Sequence, residues 1–343
     1  MRQVLDNHRG MALLLVISLV SVLAIVTLQF NREMRQDYVA SASLRNSVRL
    51  GVIVRSGTTL AELILLKDQE ENNFDSLHDS WALLSEEDLS LLFAPETLEL
   101  AVSDEGGKFQ INAMVTRKKQ GQVSTSTNDK QQVQHEIDVR NILWRLLRAE
   151  PYLVEDGEAR GIIDALIDWM DGGDGDGEEE YGAEDNYYRS LDPPYSCKNG
   201  PVESIEELLL VKGITRDLLY GTDERPPLAP LLTAWENDGK ININTADPLL
   251  LQSLNQGMDK EIAEAMISYR EDENNRELLA SKEWYKNVPS FPGDIELQKD
   301  LIKTKSNFFK IEATAGFETQ KKKVTATVER QDNAIFLLRW DSN

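Results

Sequence analysis

The sequence predicts an α+β protein in which a long N-terminal helix, apolar enough to cross a membrane, packs on an antiparallel β-sheet that is interrupted by a large inserted all-α domain. Three observations support this prediction: an uncharged apolar run over 11–30, helical periodicity between about 133 and 284, and strand-like alternation on both sides of that helical region. Strands of one sheet that flank a helical region make that region an insertion.

The composition excludes several functional classes. The chain has 343 residues and a net charge of −22, so it is long enough for about two folded units and too acidic for non-specific binding of nucleic acid. A phosphate loop, a nucleophile elbow and a zincin helix are absent from the sequence. Cys197 is the only cysteine, so the chain can form neither an internal disulfide nor a thiolate zinc site.

The run 11–30 predicts a membrane helix. Twenty helical residues at about 1.5 Å each span a bilayer core of about 30 Å. Arg2 and Arg9 outweigh Asp6 on the short flank, which predicts that this end stays in the cytoplasm and the rest of the chain is exported. Because the run is longer than a signal-peptide core and no Ala-x-Ala site follows it, we expect a retained anchor.

Residues 31–68 lack proline and predict that the same helix continues out of the membrane, with Gly51 or Gly57 as weak points. We expect the C-terminal part of this helix to lie on the sheet. The apolar side chains that support the helix recur at helical spacing: Leu44, Val48, Val52, Leu60, Leu63 and Ile64.

The following segments alternate between strand, loop and helix signals. Residues 98–102 and 108–112 predict a hairpin around Glu105–Gly107, and 117–132 predict a loop. Helices are predicted over 137–147, 159–170, 204–213 (with Ser204 and Glu207 as a capping box), 249–254 (capped by Thr245 or Asp247) and 261–270. Strands are predicted over 308–317, 323–330 and 334–340.

The N-terminus resembles the leader of type IV prepilin-like proteins, since Arg9-Gly10-Met11 leads directly into the apolar run. The resemblance implies that a prepilin peptidase cuts after Gly10 and methylates the new N-terminus at Met11. Most members of that family carry Glu at the fifth position after the cut, but this chain has Leu15. The member that typically lacks the Glu is the minor pseudopilin K of the type II secretion system.

Further segments are similar to those of the pseudopilin K family over nearly the whole chain: 167–171, 182–188, 204–213, 241–246 and 307–311. The resemblance implies a pseudopilin fold, divided into a leader (1–10), a transmembrane helix (11–30), a helix with a first hairpin (31–112), an inserted α-helical domain (113–285) and C-terminal strands (286–343).

The family resemblance also implies a function. The chain would be a structural tip subunit that initiates pseudopilus assembly with the minor pseudopilins I and J, for protein export across the outer membrane. It would sit in the bacterial inner membrane with a single pass and hold its C-terminal domain in the periplasm. The bulky insertion would block a further subunit, and Leu15 in place of Glu would leave the upper end without a partner for another amino terminus.

The acidic segment between Asp171 and Asp185 holds eight carboxylates and neither Lys nor Arg. From the residues alone, it is either a solvated loop or a calcium site, because Ca²⁺ takes 6–8 oxygen ligands in flexible geometry. The resemblance to the pseudopilin K family, whose inserted domain binds calcium in this region, favours a calcium site. Glu179 occupies the place of the usual turn glycine and Asp185 that of the usual bidentate Glu, so we do not predict a true EF-hand. The predicted ligands are Asp171, Asp174, Asp176 and Glu178, with Glu184 or Asp185 closing the site.

Two alternatives come from other functional classes. Residues 241–270 resemble the helix-hairpin-helix of DNA-uptake proteins, which would make the chain a membrane-tethered DNA-binding protein. Its turn at Asn255–Asp259 lacks Gly-x-Gly and the surroundings are acidic, so we do not expect nucleic acid as a partner. An enzyme could use paired carboxylates, but the glycine-rich acidic loop offers no apolar pocket that would raise one pKa, so we predict no catalytic residues.

Overall fold

The computed structural model describes residues 8–84, 89, 92–115, 126–172 and 179–342. The α-helices are α1 (His8–Glu71), α2 (Ser126–Arg148), α3 (Asp156–Met170), α4 (Asp185–Arg189), α5 (Arg216–Tyr220), α6 (Pro248–Ser253) and α7 (Lys260–Glu271). The strands are β1 (Thr97–Asp104), β2 (Phe109–Gln110), β3 (Leu232–Thr233), β4 (Ile241–Asn242), β5 (Ile302–Lys303), β6 (Phe308–Phe317), β7 (Gln320–Gln331) and β8 (Ala334–Ser342). Short 3₁₀ helices cover Ile111–Met114, Ile205–Leu210, Ala229–Leu231, Glu273–Ala280 and Trp284–Asn287.

Helix α1 is continuous over 64 residues, so it carries the apolar run 11–30 and then continues over the sheet. The predicted weak points Gly51 and Gly57 do not break it. Gly57 has a packing role instead, because a Cβ at this position would lie 2.8 Å from Leu98 Cδ2. The missing side chain therefore lets the helix approach β1 closely.

The main sheet has the strand order β1-β6-β7-β8 and is antiparallel throughout. The predicted packing of a long helix on an antiparallel sheet is confirmed, and Leu60 and Ile64 of the predicted apolar stripe pack against the core between helix and sheet. Leu44, Val48 and Val52 are exposed. The 3.6-residue period places them opposite the face that packs on the sheet. The buried core between helix and sheet includes Leu50, Val54, Ala61, Leu65, Leu98, Leu100, Phe309, Ile311, Ala313, Val324, Ala326 and Val328.

The predicted hairpin is wrong. Strand β1 pairs with β6, from Thr97 opposite Gly316 to Asp104 opposite Phe309, whereas β2 pairs in parallel with β3. Glu105–Gly107 is therefore the exit from the sheet into the inserted domain. Its glycines are needed for close packing, because a Cβ at Gly106 would overlap Ser306 and a Cβ at Gly107 would overlap Thr245.

The inserted domain has its own core and is wider than the predicted 113–285. Phe109 and Ile111 before that range, and Val288, Leu301 and Ile302 after it, are buried in this core rather than against the sheet. The parallel pair β4–β5 closes the domain, since Ile241 lies opposite Ile302. Helices α2 and α3 supply much of the core through Val139, Ile142, Leu143, Leu146, Ile162, Leu166 and Trp169.

Local predictions within the insertion had mixed outcomes. Helix α2 begins at Ser126, so the second part of the predicted loop 117–132 is helical, while 116–125 lie outside the described residues. The segment after Ser204 is a 3₁₀ helix, and Ser204 makes no side-chain cap bond. The Glu207 carboxylate accepts the N–H of Glu203, one residue before the predicted cap, and hydrogen bonds from Trp169 and Lys198. Of the two predicted caps, Asp247 begins α6 by accepting the N–H of Leu249.

Polar contacts at both ends show that α1 and β7 run side by side in the same direction. Near the membrane segment, Gln320 Nε2 donates to Ser43 Oγ at 3.0 Å. Far from it, Arg330 Nη1 donates to the Leu65 carbonyl at 3.1 Å. The inserted domain joins the body at this second end, where Ser306 N–H donates to Asp75. It therefore lies at the membrane-distal end of the helix.

Candidate functional site

The acidic segment is only partly within the described residues. Asp171 follows α3 directly, and Glu184 and Asp185 lie at the start of α4. The predicted ligands Asp174, Asp176 and Glu178 lie outside the described residues.

Asp168, Asp171 and Glu184 form a three-carboxylate group in which one oxygen of each lies within 4.8 Å of the others. Asp168 and Asp171 are buried and Glu184 is half-buried. Asp168 was not among the predicted ligands. Its signal in the sequence is its spacing of three residues from Asp171, which places both carboxylates on one face at the end of α3.

The chain after the acidic segment returns to α3 and fixes Asp168. The carboxylate accepts the N–H of Glu179 at 3.1 Å and the N–H of Ala183 at 2.7 Å. Gly182 lies so close that a Cβ there would overlap Asp168 Oδ2. The backbone thus wraps around a carboxylate that α3 holds in place.

Burial is the main cause that raises the pKa of Asp168, to about 6. The nearby carboxylates Glu184 and Asp171 raise it further, while the two backbone N–H groups that Asp168 accepts oppose the rise. Charge repulsion within the group is therefore a cost that a cation between the carboxylates would relieve. The donors are hard carboxylate oxygens, which fit calcium better than a thiophilic metal.

Asp185, which was predicted as an alternative to Glu184 for closing the metal site, lies outside this group. Its Oδ1 accepts the N–H of Cys197 at 3.1 Å and its Oδ2 pairs with Arg189 at 2.6 Å. Cys197 is buried, and its Sγ lies 3.5 Å from the Asp168 carbonyl. These contacts hold the 185–197 segment against the end of α3.

A second group of carboxylates, Asp68, Asp75 and Asp79, meets the same distance criterion but has a different character. Arg330 pairs with Asp68 at 3.0 Å and with Asp75 at 2.5 Å, and Arg276 pairs with Asp79 at 3.1 Å. Guanidinium groups already supply the positive charge there. This group is a structural junction rather than a metal site.

Gly10 and Met11, the predicted cleavage and methylation positions, lie exposed in the first turns of α1. Leu15 is exposed as well, as are the other large apolar side chains up to Phe30. Among the described residues, α1 is the one helix long and apolar enough to cross a membrane.

The segment that resembles a helix-hairpin-helix forms α6 and α7, with a groove of about 620 Å³ beside them. Asp259 caps α7 by accepting the N–H of Ile262 at 2.8 Å. The groove is lined by further carboxylates, which repel phosphate: Glu150, Asp247, Glu261 and Glu264. The pair of helices therefore serves packing within the insertion, and its electrostatics oppose nucleic-acid binding.

Comparison with protein families gives two matches, both to models described as type II secretion system (T2SS), protein K. One covers residues 107–236 and the other residues 241–305. Together they span the inserted domain, whose core extends from Phe109 to Ile302.

Individual proteins show the same similarity. The chain is 26% identical to the type II secretion system protein K of Aeromonas hydrophila over 337 residues, which is 96% of each protein. It is 27% identical to the protein K of Pseudomonas aeruginosa over 292 residues, 81% of this chain and 75% of that one.

A solved structure shares the fold: a chain of the GspK-GspI-GspJ complex from the type 2 secretion system of enterotoxigenic Escherichia coli. It matches with a TM-score of 0.61 and 16% identity, and the match covers 88% of this chain and 99% of that one.

Proposed function

This chain belongs to the type II secretion system protein K family, and we propose that it is the minor pseudopilin at the tip of a periplasmic pseudopilus, where it initiates assembly with the minor pseudopilins I and J. The role is one of assembly, without a catalytic step, in protein export across the outer membrane. The observation that carries the proposal is the position of the inserted domain at the membrane-distal end of α1, as the contacts of Ser306 and Arg330 define it. A bulky domain there obstructs the addition of another subunit above.

The apolar helix would connect this subunit to those below it. Residues 11–30 are exposed along the whole circumference of α1, which leaves every face available first to lipid and then to partner helices. Leu15, in place of the acidic residue of most pilin-like proteins, gives the top subunit no carboxylate to pair with an amino terminus above it. This supports a terminal position.

Processing would precede assembly. In this proposal, prepilin peptidase cuts after Gly10 and methylates Met11. Arg2 and Arg9 keep the leader in the cytoplasm, and the domain after α1 folds in the periplasm. Exposure of Gly10 at the start of the helix supports access by the peptidase. Mass measurement of the mature chain tests it, with an N-methylated Met11 as the expected first residue.

Calcium would bind at the acidic segment. Asp168, Asp171 and Glu184 would hold the ion, together with ligands from the segment between them. The ion would supply positive charge to a group of carboxylates that otherwise repel one another. Its role would be to fix the surface of the inserted domain rather than to activate a substrate.

The tip role is tested with the full chain purified in detergent together with the soluble domains of the I and J minor pseudopilins of the same secretion system. We expect a stable complex, and a label on the inserted domain at one end of isolated pseudopili. Labels distributed along the filament, or no complex with either protein, would contradict the proposed function.

A further inference from the structure

One face of α1 just beyond the apolar run carries cationic and polar side chains. Arg32, Arg35, Val39 and Ser43 follow one another at intervals of three or four residues, so they lie on the same face of the helix. Arg32 and Arg35 are exposed and border a hollow that extends to Ser43. They stand about 3–8 Å beyond Phe30 along the helix, which is the depth of the lipid headgroups next to a bilayer core.

The sheet overhangs this face of α1. A second hollow begins at Ser43, where the first one ends, and lies between α1 and the turn from β6 to β7. Lys322 Nζ lies over the helix, 3.3 Å from where a Cβ of Gly51 would be. The lining is polar apart from Leu50: Ser43, Ser47, Thr319, Gln320, Lys321, Lys322 and Ser342. The two hollows form one recess, here called the basic recess, with arginines on its membrane side and lysines above.

The charge of the basic recess is opposite to that of the whole chain. The net charge of the chain is −22, yet no described carboxylate lines the recess. Glu33, Asp37 and Glu318 are the nearest carboxylates along the chain, and none of them is part of the lining. The groove beside α6 and α7, by contrast, is lined by five carboxylates. Positive charge is therefore concentrated where the chain leaves the membrane run.

The cations of the basic recess are available to a ligand. Among the described residues, Arg32, Arg35 and Lys322 have no carboxylate partner. Lys321 is 73% exposed, and its one ion pair, to Glu99, is 4.0 Å long. An exposed pair of this length is screened by water and competes weakly with another anion.

We propose that the basic recess binds the anionic lipid headgroups of the membrane surface from which α1 emerges. Lipid is the occupant because the recess is continuous with the membrane helix and begins at headgroup depth. Its cations, together with the hydroxyl and amide donors of Ser43, Ser47 and Gln320, complement phosphate. The inference requires that α1 is inserted in a membrane, and it is independent of the tip role.

The lysines of the recess reach the lipid when α1 tilts. From Phe30 to Ser43 the helix rises about 20 Å, so above an upright helix the β6–β7 turn lies about 10 Å beyond the headgroups, on the order of one Debye length. Membrane helices tilt by about 20° on average, and a tilt toward the recess lowers the turn to the headgroups. Anionic lipid would thus set the direction in which α1 leaves the membrane.

Fluorescence quenching measures how close the β6–β7 turn comes to the lipid. The full chain with Thr319→Cys is labelled with a fluorophore and inserted into vesicles that contain a lipid with a nitroxide on its headgroup. One set is otherwise phosphatidylcholine, and in the other about a third of the lipid is phosphatidylglycerol. We expect at least twofold more quenching with phosphatidylglycerol, and no difference at about 1 M salt, where the Debye length is about 3 Å. The unsubstituted chain, whose one cysteine is the buried Cys197, is the blank.

Charge variants test whether the lysines cause the response. Lys321→Gln combined with Lys322→Gln should abolish the difference between the two kinds of vesicle. The matched control, Lys260→Gln combined with Lys282→Gln, removes the same charge from exposed positions of the inserted domain and should keep the difference. Equal responses of the two double variants would contradict lipid binding at the recess.

Flotation with the vesicles shows separately whether α1 is inserted. If the chain floats with both kinds of vesicle and the quenching is the same in both, the inference is wrong and the tip role is unaffected. A chain that floats with neither overturns both the inference and the proposed membrane location. If the label is shielded from a water-soluble quencher only after the soluble domains of the I and J minor pseudopilins are added, with either lipid, a protein covers the recess and the inference is wrong.

Discussion

Arg330 of β7 and Asp75, which follows α1, form a fully buried ion pair, with Nη2 2.5 Å from Oδ1. The same guanidinium pairs with Asp68 and donates to the Ser306 carbonyl at 2.9 Å. One side chain therefore joins the long helix, the sheet and the segment that returns from the inserted domain. The pair fixes the orientation of the insertion over the body.

Replacement of Arg330 by Met is expected to destabilise the protein by about 3–5 kcal/mol, because it leaves Asp68 and Asp75 buried without a counter-charge. Urea denaturation of the full chain in detergent measures the loss. Arg339→Met is the matched control, since its pair with Asp341 is half-exposed and is worth at most about 1 kcal/mol. Similar midpoints for the two variants would show that the buried pair has no special role.

Much of the fold follows from local patterns in the sequence. Strand β6 covers the predicted 308–317, and α3 and α7 lie within a few residues of their predicted bounds, because alternation and helical spacing are local signals. The pairing of β1 with β6 was missed because Glu105-Gly106-Gly107 is typical of a turn. The need for those glycines arises from Ser306 and Thr245, which are distant in sequence.

Calcium is expected to raise the melting temperature of the full chain, and a chelator to reverse the rise. A ligand at about 100 times its dissociation constant stabilises by about 2.7 kcal/mol, which corresponds to several degrees for a domain of this size. Asp168→Asn should abolish the calcium-induced rise in melting temperature, because it removes one negative charge from the group of three carboxylates. Differential scanning calorimetry at fixed protein concentration measures both.

Glu158→Gln provides the control for that experiment. Glu158 is an exposed carboxylate in the first turn of the same helix, so its loss leaves the calcium response unchanged. A chain whose melting is the same with calcium and with chelator would support the solvated acidic loop instead.

The site was predictable only in part. Asp171 and Glu184, which lie in the carboxylate group, were among the predicted ligands because the density of carboxylates is visible in the sequence. Asp168 was missed because a helical Asp two residues before Met170 is unremarkable until the chain returns and donates two N–H groups to it. Asp185 was one of the two residues predicted to close the site, from its position in a loop pattern, and its contacts are to Cys197 and Arg189.

Gly182→Ala is expected to weaken the calcium response and to cost about 1–3 kcal/mol, because the added Cβ overlaps Asp168 Oδ2 and displaces the returning chain. Gly157→Ala is the control. Nothing lies within 4 Å of a Cβ at this helical position, so alanine stabilises α3 by about 0.5–1 kcal/mol. Isothermal titration with calcium and thermal unfolding of both variants separate the effects. An unchanged calcium affinity in Gly182→Ala would show that the return of the chain onto Asp168 is not part of the site.

The thiol of Cys197 is expected to be unreactive in the native chain. Burial raises its pKa from an ordinary 9.0 to about 11. A thiol reacts as the thiolate, so at pH 8 the raised pKa lowers the reactive fraction by about 100-fold. Below the pKa, labelling becomes about tenfold faster for each unit by which the pH is raised. Iodoacetamide labelling followed by mass spectrometry measures the rate at pH 7, 8 and 9, with the urea-unfolded chain as the fast reference and Cys197→Ser as the blank. If the native chain at pH 8 labels as fast as the unfolded chain, Cys197 is not held against the end of α3, and its contact with the Asp168 carbonyl does not persist in solution.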